Sequence, residues 1–273
     1  MKPQKILSVA VVLQLLLCAP PSSQAQSMQT TNNDWQFISP VFYMWLYQTS
    51  GDLTFKGRDH NADLDIGQVL DKQDDNVQVY LEVNKGNWGA SIEPTFLSFT
   101  SNTKSGGVKF DNTVRIFMLD FAAQYRFWQT TAPKPMSAYA TLGLRYWNYG
   151  IESDGRGAGA PDLNASLNIV DPTIGGRFRM DVTDKFHLGA RADVGGFGLS
   201  SKESHFTWQT WLLLEYDLTK HFAVFGGYRA IGVNYEEGHG ADNKGVDVVF
   251  SGPVIGFDFD IFGWLADRKQ PKQ

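Results

Sequence analysis

Charged side chains occur within segments that otherwise alternate apolar residues with small or polar ones. Between His205 and Leu218, Leu212 and Leu214 fall on one face of a predicted strand and Glu215 falls on the other, because successive side chains of a strand point to opposite faces. Charges on the inner face of a closed sheet are stable only when they are paired or hydrogen-bonded. We therefore predict an internal charge network formed by Glu82, Glu93, Asp120, Arg126, Arg145, Asp171, Arg177, Arg179, Arg191, Asp193, Glu215, Arg229 and Asp258.

Acids and arginines occur in similar numbers in this set, which favours mutual pairing over a ring of one sign that selects ions. A closed barrel of ~8 strands is just filled by its side chains, and ten strands leave slightly more room. Two alternatives follow. Either the charges close the barrel, or a narrow aqueous path runs through them.

Hydrolytic chemistry has three candidate positions. His60 and His239 each lie among loop acids, and a His–carboxylate pair can orient a water molecule. Ser204 and His205 are adjacent, but neighbours on a strand point to opposite faces, which argues against a nucleophile–base pair. The loop acids around His60 could also supply oxygen ligands to Ca²⁺, without the spacing of an EF-hand. We expect no enzyme activity, no catalytic residue, no cofactor and no resident metal.

Ten strands account for the alternation, so the fold class is all-β, an antiparallel barrel of about ten strands with eight or twelve as alternatives. The predicted strands are 35–56, 76–84, 88–100, 113–128, 137–152, 166–182, 186–199, 205–218, 222–235 and 246–262. A further segment, 63–71, has aliphatic residues at roughly helical spacing and predicts a short helix at the mouth of the barrel.

Connections between these strands are alternately short and long. One set has only a few residues, and the other is longer and rich in Gly, Asn, Asp and Ser, namely 57–75, 101–112, 153–165, 200–204 and 236–245. Transmembrane barrels of the outer membrane have short periplasmic turns and long extracellular loops, with aromatic residues at both interfaces. Aromatic residues gather here near the short turns, which argues against the alternative of a soluble β-sandwich.

The ends of the chain are predicted to differ from the barrel. Residues 1–25 have two lysines, an apolar run and small residues at a cleavage spacing, which indicates an export signal. We expect a short periplasmic segment at 26–34, the barrel at 35–262 and a periplasmic tail at 263–273. The one cysteine lies in the signal, so the mature chain has no disulfide. A net charge of −5 gives no indication of a nucleic-acid partner.

Several strings resemble recurrent elements of small, mostly uncharacterised bacterial outer-membrane β-barrel proteins. They are Leu81–Gly89 followed by Glu93-Pro94-Thr95, Asp171–Arg177, Asp193–Gly198, Gly227-Tyr228-Arg229 and Gly252–Phe257. The resemblance implies an outer-membrane barrel and supplies no activity. This chain differs from the family pattern after the last predicted strand, because Phe262 is followed by eleven further residues instead of closing that strand.

Taken together, the patterns predict an integral outer-membrane protein of a Gram-negative bacterium with a structural or narrow-pore role. The alternatives are a surface binding or adhesion protein acting through the loops 57–75 and 153–165, and an outer-membrane hydrolase. Expected partners are outer-membrane lipid, lipopolysaccharide and, during biogenesis, the barrel-assembly machinery. The sequence does not decide the oligomeric state.

Overall fold

One antiparallel sheet closes on itself to form a barrel. The computed structural model describes residues 35–55, 57–105, 108–131, 133–156 and 163–260. The predicted signal, the N-terminal segment and the tail therefore lie outside the described residues. The strands are β1 (Gln36–Trp45), β2 (Gln48–Phe55), β3 (Arg58–Asn61), β4 (Gln73–Lys85), β5 (Trp88–Ser105), β6 (Val108–Thr130), β7 (Met136–Arg156), β8 (Leu163–Asp181), β9 (Phe186–Gly195), β10 (Phe206–Thr219), β11 (Phe222–Glu237) and β12 (Lys244–Phe259).

Strands β4 to β12 pair in sequence order, and β1 pairs with both β4 and β12. The predicted first strand is interrupted at Leu46–Tyr47, after which β2 continues to pair with β12. The amide of Leu46 donates to the carbonyl of Pro253 across this interruption at 2.9 Å. Because β1 and β2 together fill one place, the barrel has ten strand positions, and the prediction of an antiparallel barrel of about ten strands is confirmed.

Beyond the interruption, the chain continues at the end of the barrel that carries the long connections. Strand β2 pairs with β3, and the short helix α1 (Ile66–Lys72) follows. Asp65 caps this helix through a capping box with Gln68, in which each side chain accepts from the other residue's backbone amide. Val69 is buried against the barrel interior. The predicted helix at the mouth is therefore observed between Ile66 and Lys72.

Two of the predicted long loops are instead largely strand. Strand β5 continues to Ser105 and β6 begins at Val108, while β7 continues to Arg156 and β8 begins at Leu163. Pairing such as Asn102 with Asp111 gives backbone amides and carbonyls partners that an open loop would leave to water. The polar composition that predicted loops is compatible with hairpins that extend past the barrel rim.

The opposite end of the barrel has short connections, as predicted. Gly86 and Asn87 join β4 to β5, and Lys220 and His221 join β10 to β11. We call this the short-turn end and the other the long-connection end.

The outer surface of the barrel is apolar. On β10, Leu212, Leu214 and Leu218 are each about half exposed. Other strands contribute exposed large side chains in the same way: Met44, Phe121, Leu142, Leu144, Ile174 and Ile255. Large aromatic side chains are exposed towards the short-turn end, namely Trp35, Trp88, Phe127 and Trp128. No helix among the described residues is both long and apolar enough to cross a membrane.

Candidate functional sites inside the barrel

A layer of paired charges crosses the middle of the barrel. Arg145 is fully buried on β7, and its Nε donates to Asp120 at 2.8 Å while one Nη donates to Asp193 at 2.7 Å. Its remaining Nη donates to Thr207 Oγ1 at 3.3 Å. Register explains this convergence, since Arg145 lies directly opposite Asp120 on the neighbouring strand β6. The guanidinium is thus held on three sides.

Arg229 is the second fully buried arginine of this layer. It pairs with Glu93 at 3.0 Å and donates two hydrogen bonds to Gln209 Oε1 at 2.6 and 3.0 Å. Its guanidinium carbon lies 4.7 Å from the ring centre of Trp45 and 4.6 Å from that of Trp211, so it is stacked between two cation–π partners. These two aromatic residues were not anticipated from the sequence as partners of the charges.

Arg191 completes the layer. Its Nε lies 3.1 Å from Asp193 and an Nη lies 3.4 Å from Glu93. The Tyr43 hydroxyl donates a short hydrogen bond to Glu93 and accepts one from Arg229 at 3.0 Å. We call these residues the ionic layer: Glu93, Asp120, Arg145, Arg191, Asp193 and Arg229. Three acids face three arginines, and their side chains are at most 14% exposed.

Below the ionic layer, towards the short-turn end, Arg177 pairs with Glu82. Glu82 also accepts hydrogen bonds from Tyr80 at 2.5 Å, Asn84 at 2.7 Å and Gln124 at 2.9 Å. A cavity of about 150 Å³ lies between this group and the ionic layer. Two of the donors to Glu82, Tyr80 and Asn84, lie two residues away along β4 itself, and the other two, Gln124 on β6 and Arg177 on β8, reach Glu82 through the barrel interior.

Not every charge predicted for the network pairs with an opposite charge in the contacts described. Arg126 donates to the Gly86 carbonyl at 3.1 Å and to Asn87 at 3.0 Å, so it holds the β4–β5 turn. Asp171 is fully buried and accepts from the amide of Ser204 at 2.7 Å and from its hydroxyl at 2.9 Å. Gly196, with φ +70°, permits this loop, since a Cβ there would lie 3.0 Å from Asp171 Oδ1.

The short-turn end opens into an acidic cavity of about 530 Å³. His187 on β9 lies between Asp181 on β8 (Nδ1 to Oδ1 2.7 Å) and Asp217 on β10 (Nε2 to Oδ2 3.1 Å). Arg179 lies 3.5 Å from Glu215 beside them. Six carboxylates line this cavity: Asp181, Asp184, Glu215, Asp217, Asp258 and Asp260.

A neutral imidazole carries one proton, so it cannot donate to both Asp181 and Asp217. Of the described residues, His187, Glu215 and Asp217 form the group whose donor atoms lie close enough to hold a metal ion. The pairing of β9 with β8 and β10, which brings His187 between Asp181 and Asp217, is not visible in the sequence.

At the long-connection end, the barrel interior contains an apolar pocket of about 270 Å³. Its wall comes from β2, β5, β6, β7, β8 and β12 and includes Phe99, Ile116, Tyr149, Leu167, Val248 and Phe250. Lys72, at the end of α1, and Lys244, at the start of β12, also line it. We call this the upper pocket. Sequence reasoning missed it, although apolar residues at inward positions near the long loops were a usable signal.

The two hydrolytic candidates whose side chains are described, Ser204 with His205 and the group around His239, make no nucleophile–base or His–carboxylate contact among the described residues. Ser204 is fully buried with its hydroxyl committed to Asp171, while His205 is exposed. Near His239, Glu237 accepts from Tyr235 at 2.9 Å and Glu236 from Asn243 at 2.8 Å. The side chain of His60 lies outside the described residues.

The acids around His60 each serve a local turn. Asp59 accepts from Thr54 at 2.7 Å, Asp65 caps α1, and Asp63 accepts from Asn61 and the Gly51 amide, both at 2.9 Å. These contacts account for the acidic spacing that suggested Ca²⁺ ligands.

Comparison with known proteins gives fold-level likeness only. No protein-family model matches the chain, and no curated protein matches it. Among solved structures, the chain is similar to the outer membrane protease OmpT from Escherichia coli, at 7% identity and a TM-score of 0.41, over 86% of this chain and 99% of that one. It is also similar to OmpT of Vibrio cholerae as expressed in the outer membrane, at 11% identity and a TM-score of 0.26, over 81% and 97% of the two chains. Likeness at this level carries no argument about activity, and membership of a particular family is not established.

Proposed function

We propose that this chain is an integral outer-membrane β-barrel protein of a Gram-negative bacterium that does not conduct ions. Its role is structural, as a closed barrel that presents its long-connection end at the cell surface. The observation that carries the closure is the complete burial of Arg145 and Arg229 within the ionic layer.

Support for membrane insertion comes from the outer surface. On β10, exposed apolar side chains extend from Phe206 to Leu218. Twelve residue steps rise roughly 40 Å along a strand, or about 30 Å along the axis of a barrel whose strands tilt by ~40°. That height spans an apolar band of ~25 Å with its aromatic borders. A soluble protein rarely leaves so continuous an apolar surface uncovered.

Support for a closed interior comes from the ionic layer. Water reaching the guanidinium of Arg145 or Arg229 would give it exposed area, and neither has any. The rings of Trp45 and Trp211 also lie against the guanidinium of Arg229. A selectivity ring would need one sign of charge around an open path, and the layer has three of each sign in mutual contact.

Single-channel recording in planar bilayers tests this proposal. The mature chain should insert, as judged by the heat-dependent mobility of the folded barrel on gels, and should produce no current steps. The control is Glu93→Ala/Arg229→Ala, which removes one acid and one arginine and so leaves the layer charge-balanced. We expect this variant to insert and to conduct. Steady salt-dependent steps from the unmodified chain would contradict the closed lumen without affecting its assignment to the membrane.

A further inference from the structure

The upper pocket is nearly uniform in its chemistry. Apart from Lys72 and Lys244, its lining consists of apolar side chains, small polar ones such as Thr49 and Ser166, and the ring of Tyr149. No acidic residue lines it among the described residues, although the protein as a whole has a net charge of −5. The cavity at the opposite end has six acids. The upper pocket is therefore suited to an apolar group that carries a negative charge.

The two lysines approach from different elements. Lys72 is the last residue of α1, and Lys244 is the first residue of β12. Asn61 and Ser166 also line the pocket, and because both are exposed they mark its rim. In the part of the chain that the structure describes, neither ammonium group takes part in an ion pair. The pocket therefore has two cationic residues in its lining and no acid to compete with a bound carboxylate.

Three buried polar groups near the floor of the pocket have no hydrogen-bond partner among the described residues: Tyr47 Oη, Tyr149 Oη and Trp147 Nε1. Their rings form one aromatic cluster with Phe250. The ring centres of Trp147 and Tyr149 are 5.5 Å apart, and the ring centre of Phe250 lies 5.8 Å from that of Tyr47 and 6.3 Å from that of Trp147. Buried polar atoms in native proteins are nearly always hydrogen-bonded to protein, water or ligand. The cluster thus has unused hydrogen-bonding capacity beside an apolar cavity.

Size limits the occupant. An engineered cavity of roughly 150 Å³ holds benzene, and the upper pocket, at about 270 Å³, is less than twice as large. Ligand pockets for drug-sized molecules start near 300 Å³. One short apolar chain or one ring with a substituent fits, whereas a lipid with several acyl chains does not.

We propose that the upper pocket binds a small monocarboxylate with a single apolar chain. The carboxylate lies between Lys72 and Lys244, and the chain lies against Phe99, Val248 and Phe250. The ligand enters and leaves at the long-connection end, since the ionic layer closes the path below. The binding site itself does not depend on that closure, because the pocket lies wholly above the layer.

Octanoate is the probe, with octanol as its uncharged analogue, and the full chain is held in phosphatidylcholine nanodiscs. Ligand-observed NMR should detect octanoate binding in excess of empty nanodiscs. Lys72→Gln/Lys244→Gln should weaken octanoate binding by about tenfold, the equivalent of 1.4 kcal/mol, and leave octanol binding unchanged. Lys220→Gln, at the other end of the barrel, is the matched control and should bind as the unmodified chain does.

Filling the pocket separates specific binding from partition into lipid. Val248→Trp places a large side chain at a wall position and should abolish binding of both probes. Val194→Trp makes the same change on the lipid-facing surface and should leave binding intact. If Val248→Trp does not fold, Leu53→Trp provides the same test from β2. Equal octanoate signals from pocket-filled and unmodified chains, or from empty nanodiscs, would overturn the proposal.

Discussion

Replacing Arg145 with methionine tests the ionic layer most directly. The side chain is fully buried, and its loss removes contacts of 2.8 Å to Asp120 and 2.7 Å to Asp193. The layer changes from three acids and three arginines to three acids and two arginines, so one buried negative charge is left uncompensated. Removing one partner of a buried ion pair costs about 3–5 kcal/mol, because the remaining charge stays desolvated. We expect Arg145→Met to lower the free energy of unfolding by that amount.

Charge balance provides the second arm. Arg145→Met/Asp120→Asn returns the layer to two acids, Glu93 and Asp193, and two arginines, Arg191 and Arg229. The guanidinium nitrogens and carboxylate oxygens of these four residues remain 3.0 to 3.4 Å apart. We expect the double variant to be about 2 kcal/mol more stable than Arg145→Met, a coupling within the range seen for residues in one network.

The assay is urea unfolding in phospholipid vesicles, followed by tryptophan fluorescence. The matched control is Arg115→Met. Arg115 pairs with Glu152 at 2.6 Å, but its side chain is 56% exposed, so its loss should cost at most about 1 kcal/mol. If Arg145→Met costs no more than Arg115→Met, the layer is hydrated and the argument for a closed lumen fails.

Three further outcomes are expected. Leu214→Arg, on the outer face of β10, should disfavour insertion into vesicles by about 2–4 kcal/mol, and Leu218→Arg, near the short-turn end, by about 0–1 kcal/mol; equal penalties would refute the assigned depth. Gly143→Ala should destabilise the barrel by about 1–3 kcal/mol, because a Cβ would lie 2.3 Å from the Phe121 carbonyl oxygen, whereas Gly189→Ala has 3.9 Å to its nearest neighbour and should fold normally in the same urea assay. Hydrogen bonds from the Asn61 side-chain amide and the Gly51 backbone amide hold the pKa of Asp63 below its ordinary value. These hydrogen bonds therefore stabilise the β2–β3 segment fully at a pH above the ordinary carboxyl pKa, and the stabilisation is lost as the pH falls through the lowered pKa of Asp63. Asn61→Ala should raise the pKa of Asp63 measured by carbon NMR of its carboxyl group, and an unchanged value would count against this hydrogen bond.

Alternation explains why the inner face could be read from the sequence. Because side chains change face at every residue, Arg145 and Glu93 had to lie opposite the apolar residues beside them. The closeness of Asp120 and Arg145 follows only from the register of β6 against β7, and a shift of one residue would have placed them on different faces. Sequence alone could place the charges inside but could not pair them.

The interruption at Leu46–Tyr47 shows a different limit. The segment 35–56 alternates as one strand, yet β2 departs from β4 and makes room for β3 and α1. That departure depends on hydrogen bonds to residues far along the chain, such as the one from Leu46 to Pro253. The upper pocket exists because of it, since β2 and Lys72 of α1 form part of its wall.

By itself, the sequence determined the strand period, the apolar outer face and the charged inner face, because each of these is a local property of side-chain order. The number of strand positions was open between eight, ten and twelve until closure of the sheet decided ten. The tertiary structure decided which charges meet, that Trp45 and Trp211 enclose Arg229, that Asp181 and Asp217 flank His187, and that an apolar pocket lies above the ionic layer. These features depend on strand register and on closure of the sheet, which bring together residues far apart in the chain, such as Tyr43 and Arg229, which are 186 positions apart. No local pattern encodes contacts across that separation.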